Sequence, residues 1–275
     1  MIEQMRVHEF SLRHTLECGQ FFRYTKMGET YLVQSMERAF SIRQKGDILF
    51  FEGVRRGFLV RFFRLDEDLR SILAEIDRDS TIHEAIQRYR GMRLIRQDPW
   101  ECLLSFLCSS AKSIAHIRSI IESLCRTAGA RILFGPTVTY GFPRPKSIPK
   151  DAGLEEVRAG FRTSYLLKAG QCIDEKELIS LKKLTLGKAR ERLMELPGVG
   201  RKIADCVLLY SLGFTEAFPI DTWMKTGLRS VYFSGKRASP REMEEFVTNH
   251  FGRYAGYAQL YLFHFWRHQP PNGHG

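Results

Sequence analysis

The 275-residue chain is short of several things, and each shortage removes a class of protein. No apolar run approaches 18 residues, so no membrane-crossing helix is expected. The opening Met1-Ile-Glu-Gln-Met-Arg lacks the charged-then-apolar plan of a secretory signal. The six cysteines, at 18, 102, 108, 125, 172 and 206, include no C-x-x-C pair, which argues against a zinc site or a disulfide framework. Internal repeats and low-complexity tracts are missing as well. A soluble protein of a reducing compartment is the expectation these shortages leave.

Acidic residues are outnumbered, 31 against 42 lysines and arginines, for a net charge of +11. The basic residues run along the whole chain, so the charge belongs to a folded surface and not to a tail. That favours a polyanionic partner, with nucleic acid ahead of an acidic membrane. At 44% hydrophobic, the chain can bury one large domain or two modest ones.

The most informative stretch runs from Leu193 to Met224. Leu193 and Met194 close a helix, and Leu196-Pro-Gly-Val-Gly200 follows as a hairpin too tight for side chains. Its two glycines permit positive φ and leave the N–H groups of Gly198, Val199 and Gly200 uncovered. A second helix opens at about Gly200, with its unpaired N–H groups and positive dipole end at the hairpin. The combination is an anion site, suited to a nucleic-acid phosphate. This helix should run to Leu212 and stop at Gly213 in a left-handed cap. Lys202 lies in its first turn, and Asp221 follows 19 positions later, placed to cap a third helix from Thr222. A lysine amine attacks only when neutral, and a neighbouring carboxylate can manage its proton.

Elsewhere the pattern divides in two. Tyr31–Val33, Ala39–Ile42, Ile48–Phe51 and Phe58–Phe63 read as short strands between turn residues, an antiparallel sheet with one buried face. From Leu65 the period turns helical, over 66–76 and 81–89. Asp98 should cap a core helix carrying Leu103, Leu104, Phe106 and Leu107, with Pro99 in its first turn and Glu101 completing a capping box. The Pro-rich segment 134–149 reads as a surface connection. A last helix covers 254–268 and sets Gln259 and Phe263 on one face. The tail 270–275 reads as frayed.

The hairpin with Lys202 and Asp221 resembles the helix-hairpin-helix DNA glycosylases whose site ends in Gly/Pro-Asp, and the lysine points to their bifunctional 8-oxoguanine branch. The resemblance continues through Cys18-Gly-Gln-Phe-Phe-Arg-Tyr24, Cys108-Ser-Ser110 and Gly160-Phe-Arg-Thr-Ser-Tyr165. It implies an α+β protein: an antiparallel sheet domain with flanking helices over 1–94, then an all-α helix-hairpin-helix glycosylase domain over 95–275, with the cleft between them. The implied activity is excision of 8-oxoguanine from duplex DNA, followed by strand nicking at the abasic site. Lys202 would form the Schiff base beside Asp221. Gly19 would accept the N7–H of the damaged base, Gln259 would bond its edge, and Phe263 and Cys206 would stack on its faces. Phe161 would be the wedge, with Arg162, Ala111, Lys112 and His116 near the orphaned base. The backbone carbonyls of Met194, Leu196 and Val199 could hold K⁺ or Na⁺. No redox cofactor is required, and no cysteine beyond 206 offers the iron–sulfur loop of endonuclease III relatives. A monomer acting on double-stranded DNA with 8-oxoguanine or abasic sites is implied, nucleoid-associated in the cytoplasm of a prokaryote or nuclear in a eukaryote. Two alternatives stay open, an alkyl-purine glycosylase of the same fold and a non-catalytic hairpin module that binds DNA.

Within the resemblance, the positions facing the orphaned base depart from the family. Ala111, Lys112 and His116 stand where relatives carry asparagines and an arginine, and Phe161 replaces a tyrosine. A bidentate contact to the opposite base gives about 1–3 kcal/mol of discrimination. Single-turnover excision of the lesion opposite A, G and T should therefore fall within roughly tenfold of the rate opposite C.

Overall fold

The computed structural model describes residues 1–109, 113–148 and 163–270. A five-stranded antiparallel sheet is formed by β1 (Glu3–Arg6), β2 (Tyr24–Met27), β3 (Thr30–Ser35), β4 (Arg38–Lys45) and β5 (Ile48–Glu52), in the order β1-β5-β4-β3-β2. Cross-strand partners Val33–Phe40 and Ile42–Phe51 put alternate residues on one face. That face is buried under α1 (Leu12–Glu17) and α2 (Arg56–Phe62) through Leu12, Leu16, Leu59 and Phe62.

The segment Phe58–Phe63, expected as a strand, is mostly helix α2. Phe58, Leu59, Phe62 and Phe63 fall at helical spacing, and Phe58 stacks on Phe62 with ring centroids 5.4 Å apart. A short apolar run fits either period, and here the buried helical face decides it. Strand β1 lies before the expected start of the sheet.

The rest of the chain is mainly helical. It comprises α3 (Leu69–Ile76), α4 (Ser80–Arg88), α5 (Pro99–Leu107) and α6 (Ile114–Ala128), then α7 (Thr163–Cys172), α8 (Glu175–Ser180) and α9 (Leu186–Met194). Beyond the hairpin come α10 (Arg201–Val207), α11 (Thr222–Tyr232), α12 (Pro240–Phe251) and α13 (Ala255–His268). Between α6 and α7 lies a two-stranded ribbon, β6 (Arg131–Phe134) and β7 (Thr137–Tyr140), whose second strand falls in the expected surface connection. It covers the second face of the sheet: Gln34 donates to Thr139 Oγ1 at 3.2 Å, and Phe142 N–H donates to the Met36 carbonyl at 2.8 Å.

Two hydrophobic clusters meet around residues 92–95. One cluster joins the sheet to α1, α2 and Ile95, while α3, α4, Met92 and Leu94 pack into the other with α5 and α13. The helices at 69–88 are amphipathic, and their apolar faces pack with the helical core.

Every residue of α5 is buried. Asp98 caps it as expected, accepting from the N–H groups of Trp100 at 2.9 Å and Glu101 at 3.2 Å. The expected capping box is replaced by a contact across the fold. Glu101 accepts from Met36 N–H at 2.6 Å and pairs with Arg23 at 3.5 Å, and all of these groups are buried. Burial raises the Glu101 carboxyl pKa and Arg23 opposes the rise. Beside it, the Gln20 side chain accepts from Ile95 N–H at 2.8 Å and donates to the Arg93 carbonyl at 2.8 Å.

On α13, away from these contacts, His264 is buried against Tyr89, with ring centroids 4.3 Å apart, and its Nδ1 has no partner. Burial pushes its pKa down to about 3, and His268, His14 and Arg267 add to the effect. The unfolded chain takes up this proton near the ordinary value of 6.5, so the unfolded state binds more protons between pH 6.5 and 3. Stability is complete above the upper limit and is lost as pH falls, at up to about 1.4 kcal/mol per pH unit. Urea unfolding at pH 7 and pH 5 should show this loss, and His264→Phe should flatten it.

Candidate active site

The hairpin is built much as its sequence demands. Gly198 takes φ 81° and is exposed, whereas Gly200 has φ −88° and needs no glycine freedom. A Cβ on Gly198 would lie 2.6 Å from the Tyr165 ring, so the turn is seated directly on α7. The side chain of Val199 is buried as an anchor, and its N–H donates to the Leu196 carbonyl at 3.0 Å. That N–H closes the turn, which corrects the expectation of three uncovered donors at 198–200. Helix α10 starts at Arg201, continues as a π-helical turn over Leu208–Leu212, and ends at Gly213 with φ 87°. Asp221 caps α11, accepting from Met224 N–H at 2.8 Å.

Lys202 and Asp221, from the first turn of α10 and the N-cap of α11, line one cavity of about 290 Å³. Gly19, Cys206, Gln259 and Phe263 line the same cavity, so six of the expected site residues converge from four separate parts of the chain. Gly19 has φ +96°, and a Cβ there would lie 2.9 Å from Arg267 Nη1, 3.0 Å from Ile114 Cδ1 and 3.6 Å from the Phe263 ring. Only glycine fits. Gln259 is buried and accepts from the Tyr210 hydroxyl at 3.1 Å, which fixes the plane of its amide. Phe263 is half-buried, with the Arg267 guanidinium 5.6 Å from its ring centroid. Cys206 is 2% exposed, and burial pushes its thiol up to about 12.

Several contributors were not singled out from the sequence. Ser109 accepts a hydrogen bond from Lys202 Nζ at 3.2 Å. The face of Phe106 lies 5.2 Å from the same nitrogen, and its ring stacks on Tyr210 with centroids 5.5 Å apart. Trp223, half-exposed at the start of α11, also borders the cavity. The hydrophobic pattern marks Phe106 and Tyr210 only as core, and no local signal separates Ser109 from a helix-terminal serine. Behind α10, Asp205 is buried and bonded to Arg190 at 2.6 Å. Burial raises its pKa to about 6 while Arg190 and Arg201 oppose the rise.

His116 is exposed in the first turn of α6, where its N–H donates to Ser113 Oγ at 3.3 Å, and it does not line the cavity. Phe161, Arg162, Ala111 and Lys112 lie outside the described residues. Met194 ends α9 and is exposed, and the Leu196 carbonyl already accepts from Val199 N–H. Among the described residues, no group of three His, Cys, Asp or Glu side chains could hold a metal ion.

A basic chain with a helix-hairpin-helix seated beside a purine-sized cavity that holds both a lysine and a carboxylate is a DNA glycosylase of the helix-hairpin-helix class. The comparisons narrow it further. The family model "8-oxoguanine DNA glycosylase, N-terminal domain" matches residues 4–103. N-glycosylase/DNA lyase OGG1 of Arabidopsis thaliana is 30% identical, over 93% of this chain and 77% of that protein. A probable N-glycosylase/DNA lyase of Methanothermobacter thermautotrophicus is also 30% identical, over 67% of this chain and 66% of its own length. Among solved structures, the 8-oxoguanine glycosylase/lyase of Clostridium acetobutylicum, bound to duplex DNA with cytosine opposite 8-oxoguanine, matches with TM-score 0.90 and 30% identity over 98% of both chains. The chain belongs to the 8-oxoguanine DNA glycosylase/lyase family. A 3-methyladenine glycosylase from Archaeoglobus fulgidus, with TM-score 0.81 at 19% identity, shares the fold.

The lining predicts how the site divides its work. Phe263→Ala and Gln259→Ala should each lower 8-oxoguanine excision at least tenfold, the scale of a lost stacking or hydrogen-bond contact to the base. Cleavage of a preformed abasic site, which offers no base to hold, should change much less. Single-turnover assays on the two duplexes measure the split.

Proposed function

We propose that this chain excises 8-oxoguanine from duplex DNA and then nicks the strand by β-elimination, with Lys202 as nucleophile and Asp221 as the carboxylate beside it. The observation that carries the reading is the single cavity that Lys202 and Asp221 share with Gly19, Cys206, Gln259 and Phe263. A nucleophile, an anion and a flat aromatic slot meet there within a volume suited to one base.

The chemistry follows from these groups. Unstacking a nucleotide costs a few kcal/mol, which phosphate contacts by the hairpin and the basic surface offset. The neutral Lys202 amine attacks the deoxyribose C1′ as the C1′–N9 bond breaks, and the base departs with the bonding electrons. Loss of a proton and opening of the sugar give a Schiff base between Nζ and C1′. Removal of a C2′ proton then expels the 3′ phosphate. The cap leaves Asp221 a second carboxylate oxygen with which to favour the positive charge that grows on the sugar.

Resemblance also supports a monovalent cation at the hairpin. Helix α9 ends at Met194, where the last-turn carbonyls run out of intrahelical donors, and Leu196 and Val199 follow in the turn. Neutral carbonyl oxygens suit K⁺ or Na⁺. Such an ion would brace the turn and add positive charge toward the DNA backbone. The orphaned base falls to Phe161, Arg162, Ala111, Lys112 and His116 in this reading. The whole operates as a monomer on DNA in the nucleoid of a prokaryote or the nucleus of a eukaryote.

Borohydride added to enzyme and 8-oxoguanine duplex should trap a covalent adduct in the wild type and none in Lys202→Gln. An adduct retained by that variant would refute the assignment. Asp221→Asn should keep DNA affinity and slow turnover by about a hundredfold or more, the range for an electrostatic group acting in the transition state.

A further inference from the structure

The hydrogen bond between Lys202 and Ser109 joins two elements far apart in sequence, the first turn of α10 and the end of α5. Ser109 is the second residue beyond α5, and two bonds to one carbonyl pin it there. Its N–H donates to the Phe106 carbonyl at 3.0 Å, and its hydroxyl donates to the same oxygen at 2.7 Å. A hydroxyl has one hydrogen, so with that hydrogen committed Ser109 can only accept from the lysine. The 3.2 Å contact from Lys202 Nζ has this polarity. On a neutral amine, one N–H aimed at Ser109 turns the lone pair away from Ser109 and leaves it only the two remaining positions on the nitrogen. The Phe106 ring, 5.2 Å from the nitrogen, adds an attraction for the ammonium form at the same end of α5.

We propose that Ser109 is a positioning residue for the nucleophile: its carbonyl-anchored hydroxyl holds Lys202 Nζ so that the lone pair faces the open cavity. The inference rests on Lys202 being the nucleophile and adds the group that aims it. Proximity without orientation wastes much of the advantage of a bound nucleophile, because a near-attack geometry is needed at the reacting carbon. Excision and abasic-site cleavage both pass through the lysine, so the contact serves both steps.

The test compares Ser109→Ala, Ser109→Thr and Lys202→Gln with the wild type. Single-turnover rates are measured on an 8-oxoguanine duplex and on an abasic duplex, along with borohydride-trapping rates, DNA affinity and thermal midpoint. Ser109→Ala should slow trapping, excision and abasic cleavage by about tenfold, the scale of one lost hydrogen bond. Its DNA affinity and midpoint should match the wild type. Ser109→Thr keeps the hydroxyl and should recover most of the rate. Trapping at the wild-type rate by Ser109→Ala overturns the proposal. So does a rate loss matched by lost affinity, since the effect would then lie in binding. A variant that loses only excision overturns it as well, placing Ser109 with the base-holding residues. An adduct retained by Lys202→Gln would overturn the assigned nucleophile together with this inference, whereas an adduct lost there but formed normally by Ser109→Ala overturns this inference alone.

Discussion

The cavity is built across a join, and the join is held by the buried pair of Arg23 and Glu101. Gly19 and Phe22 enter the cavity from the segment ahead of β2, while Phe106, Lys202 and Phe263 enter from the helices. An ion pair withdrawn from water tends to destabilise unless its remaining donors and acceptors are engaged. Here they are. The second Glu101 oxygen takes the Met36 N–H, Arg23 donates to the Tyr140 carbonyl, and its guanidinium lies 5.6 Å from the Phe142 ring centroid. Breaking such a pair costs about 3–5 kcal/mol, against a typical total stability of about 5–15 kcal/mol. The pair therefore sets geometry. It fixes β3, the ribbon strand β7 and helix α5 relative to one another, and with them the separation of Gly19 from Lys202.

The same economy of flexibility appears at the hairpin. Gly198 is glycine for two reasons at once, a left-handed φ and a tyrosine ring that leaves no room for a Cβ. With Val199 buried beneath it, the turn has little freedom to close or open. In the proposed role of a backbone clamp, such a turn would meet a phosphate without first being ordered, so less of the binding free energy would be lost to ordering. Tyr165 also begins the helix that follows Phe161 and Arg162, which places the start of that helix and the backbone clamp against one another.

Much of this was legible in the residues, for reasons that can be named. The hairpin turn at Gly198 and the helix cap at Asp221 are local events, governed by glycine φ and by a short side chain that accepts from a nearby N–H group. The fold class was readable for a similar reason, since period two and period 3.6 leave different marks. What failed was whatever depended on a distant partner. Glu101 sits at the right spacing for a capping box, yet Met36 and Arg23 claim its carboxylate. Phe58 to Phe63 is rich in strand-forming residues, yet its buried face is helical. The change of period at Leu65 is visible in the residues, but which core α3 and α4 join is set by packing, and they pack with α13. Ser109 stood in the sequence only as part of the Cys108-Ser-Ser110 resemblance, without a role, because its partner Lys202 is 93 residues away.

The cavity offers two side chains that could serve as the proposed nucleophile. Lys202 and Cys206 sit four apart on one face of α10 and border the same cavity, and either side chain is chemically able to attack an electrophilic sugar carbon. Burial separates them. Cys206 is 2% exposed with its thiol pushed up to about 12, so at neutral pH the thiolate fraction is on the order of 10⁻⁵. A thiol is a poor nucleophile without that thiolate, and it remains a small, polarisable surface suited to the face of a purine. Lys202, half-buried at the cavity edge, has Ser109 and Phe106 as polar and aromatic partners. In the proposed mechanism the helix would thus present a soft wall and a nucleophile one turn apart, with depth of burial separating the two roles.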